Sequence, residues 1–247
     1  MNLPELAAAA SISKSAAQRF THTLVALGFL KKDPASKRYS LTCRALSLGY
    51  RYLQSNLLLE RANPYLFELN RNSKETINLA VRDGFNMVYI ARFPSPIRAI
   101  AHMPIGKQLP IFCTSAGRAF LSGLPDAEVR AILSASERPQ LTQHTVTDIE
   151  LLMDMIVTAR ETGYAYSIEE YYRNDLALAV PLFDVSGAPV AAVNISVSMA
   201  YWTLDKAKKE LVPQLLETAN LISTKPPSPS ALSPFKIGYG TADNNSA

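Results

Sequence analysis

The sequence has few of the residues on which catalytic and metal sites depend. It contains two cysteines, Cys43 and Cys113, and three histidines, His22, His102 and His144, which lie in separate segments. No G-x-S-x-G, H-E-x-x-H or C-x-x-C motif occurs. Cys113 is the one candidate nucleophile, and a lone cysteine before a helix is more often a small buried hydrophobic residue. We therefore expect no enzymatic activity, no metal site and no cofactor.

The sequence also lacks targeting and membrane signals. The opening stretch MNLPELAAAA has neither the basic region nor the apolar core of a signal peptide. No uninterrupted apolar run reaches the length needed to span a bilayer. Two cysteines without a paired spacing indicate a reducing compartment. These features predict a cytoplasmic protein without a membrane partner.

Near the start of the chain, a helix is predicted from Lys14 to Leu27. Ala16, Phe20, Thr23, Leu24 and Leu27 recur at three- and four-residue steps, which places them on one face. Ser13 can cap this helix, and Gly28 can end it in the left-handed conformation. The opposite face carries side chains that can contact base edges or phosphates, namely Lys14, Ser15, Gln18, Arg19 and His22.

A basic hairpin is predicted directly after this helix. Two short extended runs flank a Pro/Ser turn, and the cations around its tip are Lys31, Lys32, Lys37 and Arg38. Residues 1–55 hold eight Lys and Arg against two acids, a net charge of +6, whereas the whole chain is +4. A polar-faced helix followed by a basic hairpin is typical of a winged helix-turn-helix that binds double-stranded DNA. The same pattern also occurs in folds where the charges simply face solvent.

The predicted DNA-binding module, residues 1–41, is short of one helix. Residues 3–10 form a short helix with Asn2 as its cap, whereas a winged helix normally has a further helix before these two. The apolar faces of both helices would then lack a partner. Three explanations stay open: a start site assigned too late, a truncated chain, or a real loss.

The rest of the chain is predicted to form a linker helix and a mixed domain. Residues 42–56 form a helix capped by Thr42, with surplus apolar surface at residues 46–53 that predicts a partner subunit. Residues 57–224 combine helices with antiparallel strands, and residues 225–247 are Pro/Ser-rich and expected to be disordered. The strands are predicted at 76–81, 87–91, near 97–103, and at 164–169, 176–183 and 190–197. The helices are predicted at 57–70, 114–121, 126–135, 148–162 and 204–223, and residues 106–113 are predicted to form a loop.

Over residues 3–223 the sequence resembles the IclR family of bacterial transcription regulators. The resemblance rests on the stretches ISKSAAQRFTHTLVALGFL, YSLTCRALSLGY, LPIFCTSAGRAFLSGLP, TGYAYSIEE and LAVPLFDVSGAPVAAVNIS in this order. It implies an N-terminal winged helix-turn-helix, a linker helix and a C-terminal effector-binding domain of GAF-like α/β (α+β) architecture. It also implies a homodimer or homotetramer. The phrases RFTHTLVALGFL and VAAVNIS are similar to the branch that controls aromatic-acid and β-ketoadipate breakdown.

The resemblance further implies an effector site for a small organic acid. In the family, ligand carboxylates lie at the start of the helix that begins here with Thr114, Ser115, Ala116 and Gly117. Such a helix start suits an anion because it offers unpaired N–H groups and a partial positive charge, although every helix has one. The other positions that match the family's pocket are Ala101, Leu109, Ser167, Asp175, Ala177, Asn194 and Ser196.

Several of these residues can be judged by strand geometry. Asn194 and Ser196 lie two apart, so both point to the same face of a strand, which could line a pocket or face solvent. Asp175 and Ser167 depart from the family's usual pattern, in which an acidic and a hydrophobic residue sit the other way round. The Asp175 carboxylate would repel a carboxylate ligand unless Asp175 is protonated or turned away from it. Glu169 and Glu170 point to opposite faces if both are in a strand, so they cannot share one acid–base site. We therefore expect them on the surface.

Two functions remain open at this point. The first is a DNA-binding transcription regulator whose operator binding responds to a small organic acid. The second is a small-molecule-binding domain that has lost autonomous DNA binding with the first helix. The sequence upstream of Met1, translated in frame, would separate them.

Overall fold

The computed structural model describes residues 1–98 and 104–224. The chain divides into two compact units, Met1–Glu60 and a second unit that begins at Arg61. The disordered tail predicted at residues 225–247, and most of the strand predicted near 97–103, lie outside the described residues. No helix within the described ranges is long and apolar enough to cross a bilayer.

The first unit consists of three α-helices and a hairpin. Its elements are α1 (Leu3–Ala9), α2 (Lys14–Ala26), β1 (Leu30–Lys32), β2 (Tyr39–Leu41), a 3-10 turn (Cys43–Ala45) and α3 (Leu46–Gln54). Asn2 and Glu5 form a capping box at the start of α1. The Ser13 side chain accepts a hydrogen bond from the Ala16 N–H, and Gly28 has φ +76°, so the predicted cap and stop of α2 are confirmed.

The buried face of α2 differs from the one predicted. Ala17 and Thr21 are buried against the rest of the unit, whereas Phe20 is 61% exposed and Leu27 is 50% exposed. The spacing identified an amphipathic helix correctly. Within this unit α2 packs against α1 and β1, and these contacts leave Phe20 and Leu27 exposed.

The second unit is an antiparallel sheet with helices on both faces. Its elements are α4 (Leu57–Ser73, which belongs to this unit from Arg61), β3 (Thr76–Asp83), β4 (Asn86–Phe93), β5 (Gln108–Pro110), α5 (Ser115–Ser122), α6 (Asp126–Ala135), α7 (Ile149–Thr162), β6 (Ala165–Ile168), β7 (Asp175–Phe183), β8 (Pro189–Ser198) and α8 (Leu204–Ile222). The strand order is β5-β4-β3-β8-β7-β6, and all pairs described are antiparallel. The fold class expected from the sequence is therefore confirmed.

The two faces of this sheet are different. One face is apolar along β7 and β8, with Leu178, Val193 and Ile195 fully buried, and α8 packs against these strands. The other face carries alanines where α5 packs, followed by polar residues toward one end of β8. This polar stretch is where the candidate site lies.

One strand and one acidic residue differ from the prediction. Residues 108–110, predicted as loop, form β5 and pair with β4. Glu170 was predicted on the surface, and this prediction is wrong. The residue is 4% exposed and forms an ion pair with the buried Arg118. Strand β6 ends at Ile168 and Glu169 has φ +54°, so the alternation of strand faces no longer applies to these two acids.

Candidate functional site

The first part of the site is the start of helix α5. Thr114 is the cap residue, and its hydroxyl accepts a hydrogen bond from the Gly117 N–H at 3.1 Å. The N–H groups of Ser115 and Ala116 have no partner inside the helix, as expected for the first turn. All four residues are buried. A helix start with two available amides and a partial positive charge suits a carboxylate.

Gly117 has a packing role at this helix start. A Cβ atom added there would lie 1.9 Å from the carbonyl oxygen of Ile111, far inside contact distance. The close approach of these two backbone segments therefore requires glycine. Ala116 is 2% exposed and belongs to the apolar core, so replacing its side chain by a larger one would overpack the core.

The second part of the site is a buried polar row on the sheet. Asn78 on β3 pairs with Asn194 on β8, and Thr76 pairs with Ser196, so these side chains share one face. Asn78 is 0% exposed and Asn194 is 1% exposed. The Asn194 Nδ2 donates to the Ser196 Oγ at 3.1 Å. The expectation that Asn194 and Ser196 share a face is confirmed, and this face is buried rather than exposed to solvent.

Three polar atoms on this face have no hydrogen-bond partner among the described residues. They are Asn78 Nδ2, Asn194 Oδ1 and Asp175 Oδ1, and each is buried. Asp175 lies on the same face because it pairs with Ser198, which is on the same side of β8 as Asn194. Buried polar atoms are normally hydrogen-bonded, and leaving one without a partner costs about 1–3 kcal/mol. The row therefore has the character of a binding site rather than of a packed core.

Helix α5 and the polar row face each other. Ala179 and Ala192, which lie on the same face as Asn194, belong to one buried cluster with Ala116 and Ala119 of the helix. Gly123, just after the helix, lies against Phe183 at the end of β7 and against Pro189 at the start of β8. The end of α5 thus lies near the start of β8, so the beginning of the helix points toward the part of β8 that carries Asn194.

The remaining matched positions are distributed around this arrangement. Ser167 on β6 pairs with Ala177 on β7, which pairs with Ser196, so these three lie side by side on the face of the row. Leu109 is 2% exposed on β5 and belongs to the apolar cluster with Tyr89. Ala101 lies outside the described residues.

Sequence reasoning missed the cation and the phenols of this face. Arg92 on β4 pairs with Asn78 and donates from Nη1 to the Asn78 Oδ1 at 3.0 Å. Burial lowers the pKa of the Arg92 guanidinium, which is close enough to interact with Tyr89, Asp175 and Tyr172. Burial also raises the pKa of Tyr89. The one available signal was a charged residue among the apolar side chains of β4.

Asp175 has the properties that a carboxyl near an acidic ligand would need. Burial raises its pKa to about 7, and the nearby Arg92 limits the rise. Near neutral pH the carboxyl is therefore protonated in a large fraction of molecules. A protonated carboxyl can donate a hydrogen bond to a ligand oxygen instead of repelling it.

The pair Arg118–Glu170 fixes the helix to the neighbouring loops. Arg118 donates from Nε to the Phe112 carbonyl at 3.1 Å, and its guanidinium forms two hydrogen bonds with the Glu170 carboxylate. Glu170 also accepts from the Val146 N–H at 3.1 Å. The residues that precede and begin α5 are thereby held in place from inside the unit.

Cys113 is placed as an apolar core residue. It is 1% exposed, and burial raises the pKa of its thiol to about 12. The thiol is therefore protonated near neutral pH, and a nucleophilic role needs the thiolate. Within residues 1–98 and 104–224, no three His, Cys, Asp or Glu side chains lie together in a way that could hold a metal ion.

The residues predicted to contact DNA lie in the first unit. Ser13 serves as the cap of α2, and Lys14, Ser15, Gln18, Arg19 and His22 are exposed on that helix. On the hairpin, Arg38 lies 3.5 Å from Glu5, and Lys32 lies over the ring of Tyr39. Lys31 and Lys37 are exposed. The helix and the hairpin thus present their cations to solvent.

Residues 1–34 match the model of the IclR helix-turn-helix domain, and residues 50–224 match that of the bacterial transcriptional regulator IclR C-terminal. The Pca regulon regulatory protein of Pseudomonas putida is 31% identical over 87% of this chain and 74% of its own length. The transcriptional regulator KdgR of Escherichia coli is 32% identical over 91% and 85%.

Solved structures give the same result. A putative transcriptional regulator from Rhodococcus sp. RHA1 has a TM-score of 0.73 at 36% identity, covering 90% of this chain and 88% of its own. The inducer-binding domain of a PobR double mutant from Acinetobacter, in complex with 3-hydroxybenzoic acid, has a TM-score of 0.59 at 26% identity, covering 64% and 93%. Because both family models match and the second alone covers most of the chain, this protein belongs to the IclR family of bacterial transcriptional regulators.

Proposed function

We propose that this protein is a transcription regulator whose binding to double-stranded DNA is modulated by a small organic acid. The acid lies between the start of α5 and the polar row, with a carboxylate at the N–H groups of Ser115 and Ala116. Asn194 and Ser196 bind the oxygens farther from the helix. The observation that carries the proposal is a set of buried polar atoms that have no hydrogen-bond partner within residues 1–98 and 104–224 and lie opposite a helix start.

Aromatic acids are the first class to examine. A relative from Pseudomonas putida is named for the Pca regulon, and the PobR inducer-binding domain was solved with 3-hydroxybenzoic acid. The match of residues 1–34 to the family's helix-turn-helix domain favours a DNA-binding regulator over a domain that has lost autonomous DNA binding. The exposed side chains of α3, among them Leu46, Leu48 and Tyr50, support a homodimer or a homotetramer.

The test begins with the full chain and a panel of small carboxylic acids screened by thermal shift. An acid at ~100 times its dissociation constant should stabilise the fold by about 2.7 kcal/mol. DNA fragments selected by the protein from a genomic library are then used in gel shifts with and without the acid. A chain that binds an acid but retains no DNA at low salt would support the alternative function.

The position of the acid is tested with Asn194→Leu. Leucine has a similar size and fills the buried position, so the fold should persist. The affinity for the acid should fall by about 1.5–3 kcal/mol for each lost hydrogen bond to the charged ligand, measured by calorimetric titration. Asn220→Leu on the exposed side of α8 is the matched control. Equal affinity in both variants would place the acid elsewhere.

A further inference from the structure

We propose that Lys107, Tyr171 and Tyr172 form a latch that closes over the acid-binding pocket and controls how fast an acid enters and leaves it. The three side chains come from two segments at opposite edges of the sheet. The inference rests on the proposed function for the identity of the occupant, whereas the opening of the latch is measurable without any acid.

The latch joins distant parts of the sheet. Lys107 directly precedes β5, which is one edge strand, and the two tyrosines follow β6, which is the other. Six strands about 4.8 Å apart would separate these edges by about 24 Å in a flat sheet. The Lys107 Nζ nevertheless donates a hydrogen bond to the Tyr172 hydroxyl. The two segments therefore meet across one face of the sheet.

That face is the one that carries the pocket. Because neighbouring strands run in opposite directions, the start of β5, the end of β6 and the Ser196 end of β8 lie at the same end of the sheet. The two tyrosines pack against the buried cluster that includes Cys113, just before the cap of α5. Tyr172 also interacts electrostatically with Tyr89 and Arg92. The latch thus extends from the helix start to the β4 end of the polar row and lies over the space between them.

The contacts that close the latch are few and reversible. The Lys107 Nζ lies 5.5 Å from the ring centroid of Tyr171 and 5.1 Å from that of Tyr172, and the two rings pack edge to face at 4.6 Å. All three residues are half-buried, so water can replace these contacts when the side chains separate. Cation–π contacts at partly exposed sites are weak enough to break during ordinary loop motion. The latch is therefore mostly closed and opens often enough to admit an acid.

The backbone on both sides of the latch is held in place. The Gly106 N–H donates to the Tyr89 carbonyl at 2.8 Å, next to Lys107. On the other side, the Glu169 N–H donates to the Asp175 carbonyl at 2.8 Å and closes the turn that carries the tyrosines. Opening therefore requires rotation of the latch side chains and no rearrangement of the sheet.

The first experiment measures the opening of the latch in the full chain without an acid. Cys113 is one of two cysteines and lies in the cluster beneath the tyrosines, so Cys43→Ser leaves it as the single thiol. The rate at which methyl methanethiosulfonate labels this thiol, followed by intact mass, reports the open population. Adding Lys107→Met should raise the rate about fivefold or more. Tyr172→Phe should raise it less because the ring remains, and Lys107→Arg should keep it close to that of Cys43→Ser alone.

Lys208→Met is the matched control for the labelling experiment. Lys208 is also half-buried and lies 4.8 Å from the ring centroid of Tyr166, outside the latch, so this variant should keep the rate of Cys43→Ser alone. Thermal unfolding of each variant checks that the fold persists. An unchanged rate in Lys107→Met, or an equal rise in Lys208→Met, would overturn the latch.

The second experiment tests whether the latch controls the exchange of acid. Surface plasmon resonance on the immobilised full chain measures the association and dissociation rates of 3-hydroxybenzoate, or of the panel acid with the largest thermal shift if 3-hydroxybenzoate does not bind. Lys107→Met should raise both rates by a similar factor, while Kd changes by less than about threefold. A faster dissociation alone would mean that Lys107 binds the acid directly, and the latch would be wrong. If no acid binds, the proposed function is wrong, and the labelling rates still decide whether the latch opens.

Discussion

Replacing Asp175 by asparagine should make the second unit more stable at alkaline pH. The Oδ1 of Asp175 is buried without a hydrogen-bond partner among the described residues, and burial raises the pKa of this carboxyl from 3.8 to about 7. The folded protein therefore binds this proton more tightly than the unfolded chain. Because the unfolded chain releases it first, the free energy of unfolding falls as the pH rises from about 4 to above 7.

The size of the effect follows from the shift. A difference of about three pKa units corresponds to about 4 kcal/mol at a pH well above 7, since each unit is 1.36 kcal/mol. Asp175 is only partly buried as a residue, and Arg92 can move toward its ionised form, so the penalty is reduced. We expect Asp175→Asn to gain about 1–3 kcal/mol over the wild-type protein at pH 8.5 and little at pH 5. Asparagine suits the test because it resembles the neutral acid in shape and does not ionise.

The measurement is urea unfolding of the full chain at several pH values and one fixed protein concentration. Trp202 is the only tryptophan, it is 8% exposed, and its indole N–H donates to the Glu75 Oε1 at 2.8 Å, so its fluorescence reports on the second unit. Asp154→Asn, at an exposed position of α7, is the control and should follow the wild-type pH dependence. If Asp175→Asn and the wild-type protein lose stability in parallel between pH 5 and pH 8.5, Asp175 is not the buried acid described here.

Two further predictions concern the first unit and the assembly. Arg19→Ala should weaken binding to the selected DNA by ~1–3 kcal/mol and relax specificity at one base pair, whereas Lys37→Ala should weaken binding to all sequences alike; gel shifts that Arg19→Ala leaves unchanged would remove α2 from the interface. Static light scattering at micromolar concentration should report at least a dimer, because Leu46 is 75% exposed and Leu48 is 59% exposed on α3. A monomer would contradict the proposed assembly.

Features set by local residue chemistry were predictable from the sequence. Ser13 caps α2 and Gly28 ends it, because each acts on backbone groups within four residues of itself. The strands around Gly84 and Gly187 follow from turn chemistry and a period of two. The start of α5 could likewise be located to within one residue.

Features set by contacts between distant segments were not predictable. Arg118 and Glu170 are 52 residues apart, and the positive φ of Glu169 turns the chain so that Glu170 enters the core. No periodicity in the sequence reports such a contact. The apolar side chains of α2 show the converse, because their spacing predicts a face but does not say whether another segment covers it.

Arg92 shows why the site itself needed the structure. Its place opposite Asn78 depends on a register irregularity between Leu79 and Ala80 within the β3–β4 hairpin, and the place of Asn78 opposite Asn194 depends on pairing with the distant strand β8. A shift of one residue in the pairing of β3 with β4 would place the guanidinium and Asn78 on opposite faces of the sheet. Family resemblance pointed to the positions on β8 and at the start of α5, while the register added the cation at the β4 end of the polar row. The chemistry of the pocket therefore differs from the one read from the sequence: it contains a guanidinium and a carboxyl whose pKa burial raises to about 7, so that this carboxyl changes charge near neutral pH.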